Sequence, residues 1–274
     1  MAVRARHKGC ALALALCAPL LASAAGKCER LVVTGSPDAP PYSWQDPGNP
    51  KQLIGASVDL LRQVAGELGI SVQVLYAGKR EQALDEVRSG RFDLLLDTPM
   101  QVAQLTALDY IHPALQLNEY VVWTRPDSTL AFEGPADLAA YQGSVSAKAR
   151  LTPAFEEFAK RSLKLVPSQN LTQALQKLVL GQVDYVLAGR YSGLAMAQSL
   201  GLSADLQTRG PAVDRPGLYL ALSHNSACND AWLRGQLAKK LTELPLSAAP
   251  EAVLQRNVER WKAQVQPLPD APKP

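Results

Sequence analysis

With 274 residues, 47% of them hydrophobic and 19% charged, the chain carries enough apolar material for one large or two small domains. Its 18 Gly and 20 Pro argue against collagen or wholesale disorder, and 6% aromatics leave little for a base-stacking platform. Against 25 Asp and Glu stand 28 Lys and Arg, a small excess that does not suit a general nucleic-acid or membrane-surface binder.

Even that excess sits at the head of the chain. Residues 1–25 have the three parts of a secretory signal. Arg4, Arg6 and Lys8 precede the apolar run 11–21, which is too short to span a bilayer. Ala22-Ser23-Ala24 then offers small residues for cleavage after Ala24 or Ala25. The alternative is an uncleaved anchor. Removing the segment leaves 25 basic against 25 acidic residues, and the expectation is a protein exported to the periplasm. Two cysteines remain, Cys28 and Cys228. In an oxidising compartment an even pair reads as one disulfide, the alternative being two separate buried thiols. His112 and His224 are isolated, so neither a metal nor a cofactor is expected.

Residues 31–33 read as a strand, followed by a Pro- and Gly-rich loop to about Ile54. Residues 57–68 form an amphipathic helix with Val58, Leu61, Val64, Ala65 and Leu68 on one face, ended by Gly69. Residues 70–75 are the next strand. Then comes a unit that recurs. EQALDEVRSGRFDLLLDT at 81–98 answers TQALQKLVLGQVDYVLAG at 172–189. Gln82, Ala83, Leu84, Gly90, Asp93 and Leu96 recur as Gln173, Ala174, Leu175, Gly181, Asp184 and Leu187, each 91 positions on. The unit is a short helix, a glycine in the left-handed conformation that ends it, and an apolar run suited to a strand buried on both faces. Asp93 and Asp184 at the strand starts are read as structural rather than as sites.

Between the two copies, residues 119–124 (EYVVWT) are β-like. Residues 153–160 read as helix and 163–166 as strand. Beyond the second copy, 217–222 (GLYLAL) is a strand, and 230–244 and 250–265 are helices. Residues 266–274 hold four prolines and read as a disordered tail. Alternating helix and strand makes this an α/β protein with mainly parallel sheets, and a motif repeated at this distance suits two similar lobes rather than a solenoid.

The ordered set LVVTGSPDAPPYSW, GASVDLLRQVAGELGI, QALDEVRSGRFDLLLDT and LDYIHPALQLNEYVVWTR, continued by LGQVDYVLAGRYSGLAMA and GLYLAL, resembles the family 3 periplasmic solute-binding proteins that feed amino-acid ABC transporters. The resemblance implies two α/β lobes joined by two crossing segments, with a ligand between lobes that close by hinge bending. The first crossing is expected near 124–127 and the second near 211–217. Lobe 1 then comprises 26–124 and 214–265, and lobe 2 comprises 125–213.

The family's binding residues carry over poorly. The Arg that grips the ligand carboxylate in amino-acid binders aligns with Gln104, and the Asp that holds the α-ammonium aligns with Gly189. The aromatic before the PP(F/Y) segment is Ala39, the one after the second strand is Lys79, and small polar residues after FDLLL are Asp97 and Pro99. Ordinary α-amino acids are therefore expected to bind weakly. Basic residues stand instead at strand ends, where open α/β sheets take ligands. They are Lys79 and Arg80 in lobe 1, Lys148 and Arg150 near a helix N-terminus in lobe 2, and Arg190 beside Tyr191 after the second repeat. Ser36, Trp44 and Gln104 complete the candidate ligand set, with Asp97 as a counter-charge for an amine or hydroxyl.

The expectation is a monomeric, non-enzymatic receptor closing over a small anionic or carboxylate-bearing solute. Its partner is an ABC permease or a membrane sensor, and no nucleic acid is involved. The alternatives are a dehydratase-like enzyme on the same fold, and an interaction module without a transported ligand.

Overall fold

The computed structural model describes residues 28–247 and 250–265. The expected signal segment at 1–25 and the Pro-rich tail at 266–274 lie outside the described residues. In chain order the first half comprises strands β1 (Arg30–Thr34), β2 (Asp38–Ala39), β3 (Ser43–Asp46) and β4 (Asn49–Ile54), helix α1 (Ala56–Gly66), β5 (Ser71–Val74), α2 (Arg80–Arg88), β6 (Leu94–Thr98) and β7 (Leu108–Leu117). The middle comprises β8 (Tyr120–Thr124), β9 (Gln142–Ser146), α3 (Pro153–Ser162), β10 (Lys164–Ser168), α4 (Leu171–Val179), β11 (Tyr185–Gly189), α5 (Arg190–Ser199) and β12 (Gln207–Asp214). The chain closes with β13 (Gly217–Ser223), α6 (Ala231–Ser247) and α7 (Pro250–Val265).

Two five-stranded sheets share one plan, with orders β5-β1-β6-β13-β7 and β10-β9-β11-β8-β12. In each, three parallel strands are followed by one that runs against them and a last one that runs with them. The recurring unit supplies α2–β6 to the first sheet and α4–β11 to the second. All five residues of β6 and all five of β11 are buried, as expected for central strands covered on both faces. Gly90 and Gly181 follow the helices at φ of 79° and 68°, the left-handed turn that glycine adopts without penalty. Asp93 Oδ2 accepts from the Val32 amide at 2.7 Å, and Asp184 Oδ2 from the Gln142 amide at 2.8 Å. Both carboxylates tie the recurring strand to its parallel neighbour.

Val58, Leu60, Leu61, Val64 and Ala65 of α1 are at most 1% exposed and join the lobe 1 core with β1, β6, β13 and α6. Each such Leu or Val contributes about 1.5 to 3 kcal/mol of burial. Lobe 2 packs Val121, Leu175, Leu178 and Val186 on one face of its sheet, and Val122, Leu138, Phe155 and Leu187 on the other. Cys28 and Cys228 are joined as a disulfide across a separation of 200 residues, and both sulfurs lie within lobe 1.

Two expectations shift. The loop expected up to Ile54 contains the small sheet β2-β3-β4. Its strands are short and carry Pro50, and they lack apolar alternation, so periodicity gives no signal. The first crossing also moves. Residues 120–124 pair with β11 and β12 in the second sheet, so the chain changes sheets at 118–119 and returns at 215–216. The two crossing segments touch there, the Asn118 amide donating to the Pro216 carbonyl at 2.9 Å.

Candidate functional site

A cleft of about 560 Å³ lies between the two sheets and is lined by both lobes. Its lobe 1 wall is the loop 36–40, Tyr42, the start of α2 (Lys79, Arg80, Glu81), and Asp97 and Pro99 at the end of β6. Its lobe 2 wall is Ser146, Lys148 and Arg150 after β9, Asn170 to Thr172 at the start of α4, the end of β11, and Ser192 and Met196 of α5. Asn118 and Tyr120 line it where the chain crosses. Most of these residues stand at a strand end or a helix start, because a parallel strand turns there into a helix.

Of the residues expected from sequence, Ser36, Lys79, Arg80, Asp97, Lys148 and Arg150 line the cleft. Four do not. Trp44 is 2% exposed and packs edge-to-face on Trp261 at 5.6 Å, its indole N–H donating to Gln264 Oε1 at 2.8 Å; its aromatic bulk serves the junction with α7. Gln104 Oε1 accepts from Arg88 at 2.7 Å. Arg190 pairs with Glu119 at 3.3 Å, because the helix it opens starts beside the crossing segment. Tyr191 donates to Glu251 at 3.1 Å and packs on the lobe 1 core. Burial and the Glu251 carboxylate push its phenol up to about 12.

The helix N-terminus expected to aid Lys148 and Arg150 is also taken. Thr152 caps α3, and its amide and hydroxyl both donate to Asp214, at 2.7 and 2.8 Å. The starts of α2 and α4 face the cleft instead. At α4, the Asn170 side chain accepts from the Gln173 amide. These helix starts favour negative charge in the cleft by their dipoles.

Lys79, Lys148 and Arg150 are exposed and Arg80 is half-buried. None of the four forms an ion pair within the described residues, whereas Arg88, Arg91, Arg125, Arg190 and Arg215 all do. Burial, then the like charge of Arg150, hold the Arg80 guanidinium below its ordinary value, though an arginine stays charged. The Arg150 amide donates to the Tyr120 hydroxyl at 3.0 Å, which fixes the loop that carries it. Acidic groups line the cleft too, in Asp38, Glu81 and Asp97.

Asp97 is 4% exposed and has φ of 53°, unique among the described non-glycine residues in being positive. Neither carboxylate oxygen has a hydrogen-bond partner. The nearby Ser43 hydroxyl donates to the Ser36 carbonyl, and Ser57 Oγ accepts from Gln116. Burial pushes the Asp97 carboxyl above the usual carboxylate range, against the pull of those two hydroxyls and of Arg80. Burial, then the neighbouring Asp97 charge, likewise raise the Tyr42 phenol.

The position aligned with an ammonium-holding Asp has a physical reason to be Gly189. A Cβ there would stand 2.3 Å from Asn118 Oδ1. The Asn118 side chain, which accepts from Tyr42 at 3.3 Å, occupies that space. Sequence reasoning missed Asn118, Tyr120, Asn170 and Thr172. They are neutral residues, and only the fold brings them to the cleft.

A model of the bacterial extracellular solute-binding proteins, family 3, matches residues 31–213. No curated protein matches the sequence. Among solved structures, a histidine kinase sensor domain with similarity to periplasmic binding proteins matches at 22% identity, TM-score 0.61, covering 84% of this chain and 96% of its own. An amino-acid ABC transporter substrate-binding protein from Streptococcus pneumoniae, bound to L-arginine, matches at 19% identity, TM-score 0.60, covering 84% and 94%. The VFT2 domain of Bordetella pertussis BvgS matches at 18% identity, TM-score 0.61, covering 85% and 93%.

Proposed function

This chain belongs to the family 3 bacterial extracellular solute-binding proteins, and from that premise we propose that it is a periplasmic receptor whose lobes close on a small anionic solute. One observation carries the reading. Arg80 and Lys79 from lobe 1 face Lys148 and Arg150 from lobe 2 across the cleft, and none has a carboxylate partner within ion-pair distance among the described residues. Like charges on opposite walls repel, so the empty cleft is biased open. A carboxylate or phosphate between them is attracted by both walls only when they approach, and that difference in affinity drives closure.

Amino-acid binding of the kind named for the similar S. pneumoniae protein is disfavoured here. Gln104 accepts from Arg88 and is not among the residues lining the cleft, and Asn118 fills the space beside Gly189. The described residues hold no helix long and apolar enough to cross a membrane, and in this reading the solute is passed to an importer or a sensor. Both kinds of protein occur among the structures it resembles. The reading is of a binder rather than an enzyme.

A thermal-shift screen of organic acids and phosphate esters identifies binders, and a ligand at 100 times its Kd adds about 2.7 kcal/mol. Arg80→Glu and Lys148→Glu are each expected to weaken the best anionic binder at least tenfold by calorimetry, about 1.4 kcal/mol. Small-angle scattering is expected to show a smaller radius of gyration on saturation. Unchanged affinity in both variants overturns the basic cleft, and an unchanged radius overturns closure.

A further inference from the structure

Asp97 is a poor choice for an anion site. It is a carboxylate, it is buried, and neither oxygen is paired. The next acceptor, Gln116 Oε1, is also unpaired, while the amide nitrogen of the same side chain goes to Ser57. The protein groups that pull on the Asp97 carboxyl are the hydroxyls of Ser57 and Ser43 and the Arg80 charge, none of them in a hydrogen bond of ordinary geometry. The second copy of the recurring unit has the apolar Ala188 at the matching position, without the positive φ of Asp97. The left-handed backbone at Asp97 is one that Asp and Asn tolerate better than other side chains.

We propose that Asp97 makes a hydrogen-bond donor obligatory on the ligand: the cleft takes a small anion that also carries a hydroxyl or ammonium group, aimed at Asp97, and rejects anions of equal size without one. This rests on the anionic-solute reading above and adds the second group. The physical basis is asymmetry. A ligand O–H or N–H supplies a well-formed hydrogen bond to a buried acceptor that makes none within the described residues. A ligand oxyanion at the same place meets a like charge with little water to screen it. A site built to receive a donor discriminates strongly against the analogue lacking it, because the buried group is then left unpaired. Arg80 and Arg150 hold the anionic end, and Asp97 reads the other.

The test is calorimetry on matched pairs that differ only in the donor: propionate and lactate, succinate and malate, glutarate and 2-hydroxyglutarate, butyrate and 4-aminobutyrate. Butane-1,4-diol and putrescine serve as donors without an anion. In the wild-type protein the donor-bearing member of at least one pair is expected to bind tenfold or more tightly than its mate. Asp97→Asn keeps the shape and the left-handed tolerance but supplies its own donor. It is expected to bring the pair within about twofold, chiefly by tighter binding of the donor-free acid. A purely structural role for Asp97 leaves that ratio unmoved.

Pairs that bind equally in the wild type overturn the donor requirement and leave the anionic reading standing. Binding of the diol or diamine and of none of the acids overturns the anionic reading and keeps Asp97 as the reader. No binding across the panel overturns both. The wild-type ratios decide these outcomes even where the variant fails to fold.

Discussion

In lobe 1 the recurring unit brings Lys79, Arg80, Glu81 and Asp97 to the cleft; in lobe 2 the matching positions are Asn170, Leu171, Thr172 and Ala188. The backbone follows the same path in both through the glycine after the helix and the Asp that ties the strand to its neighbour, and departs at the strand end, where Asp97 is left-handed and Ala188 is not. The charge is not. Lobe 2 takes its cations from the loop after β9, while in lobe 1 the loop after β1 is given over to the small sheet β2-β3-β4 and brings Asp38 as its charged cleft residue. Each lobe thus presents basic groups from a different connection on a shared scaffold. The lesson is that scaffold and site are specified by different positions of one motif. Apolar spacing, Gly and Asp hold the unit together, and the residues beside them are free to vary.

The lobes also differ in how they are held, and the largest expected effect follows from that. Only lobe 1 is stapled among the described residues, by Cys28–Cys228. In the chain-entropy model a bridge closing 200 residues contributes at most about 5 kcal/mol. Cys28→Ser with Cys228→Ser is expected to lower unfolding stability by about 2 to 5 kcal/mol, measured by urea titration. Two free thiols titrating in the non-reduced, denatured protein would show that the bridge does not form.

The two glycines sharpen the comparison within the repeat. A Cβ at Gly90 would lie 2.6 Å from the Asn225 carbonyl oxygen, while at Gly181 the nearest atom is an Arg125 nitrogen at 4.0 Å. Gly181→Ala bears only the left-handed penalty, about 1 to 2 kcal/mol. Gly90→Ala adds a backbone clash and is expected to cost about 3 kcal/mol or more. Equal losses of melting temperature in the two variants would mean that the turn after α2 relaxes freely.

The Asp pair follows at smaller size. Asp93 accepts from the Val32 amide and from Ser226 Oγ at 2.6 Å, whereas Asp184 accepts from the Gln142 amide at an exposed strand start. Asp93→Ala is expected to cost about 2 kcal/mol and Asp184→Ala about 1. Chemical denaturation of both single variants checks the order, and a larger loss at Asp184 would reverse the assignment of lobe 1 as the more tightly tied copy.

What the residues alone revealed divides along the same line. Helical spacing in α1 and the apolar runs of β6 and β11 are dictated by burial, which leaves a period in the sequence. The repeat revealed the two-fold plan because gluing helix to strand needs the same residues twice. The small sheet β2-β3-β4 left no such trace, since its short strands are set by backbone pairing. The site was half legible. Lys79, Arg80, Asp97, Lys148 and Arg150 stand at strand ends, where the topology alone predicts a cleft. Arg190 and Tyr191 stand at a strand end too, and the difference is what waits for them: Glu119 and Glu251, both remote in sequence, claim their polar atoms.

Arg190 gives the smallest effect and the sharpest separation. Its guanidinium lies 3.3 Å from Glu119, which also receives Arg215 at 3.1 Å from the second crossing segment. All three side chains are more than a third exposed or close to it, so water screens the network and each pair is worth less than about 1 kcal/mol. Arg190→Gln should therefore change stability by less than about 1 kcal/mol and ligand affinity by less than twofold. Arg80→Gln removes a cation that lines the cleft and has no ion-pair partner among the described residues, and is expected to weaken anion binding at least fivefold. Calorimetry on the two variants side by side tests whether cleft position, rather than charge near a strand end, makes an arginine part of the site. A loss of affinity in Arg190→Gln equal to that in Arg80→Gln would show that the crossing segments, not the lobe walls, set the charge the ligand meets.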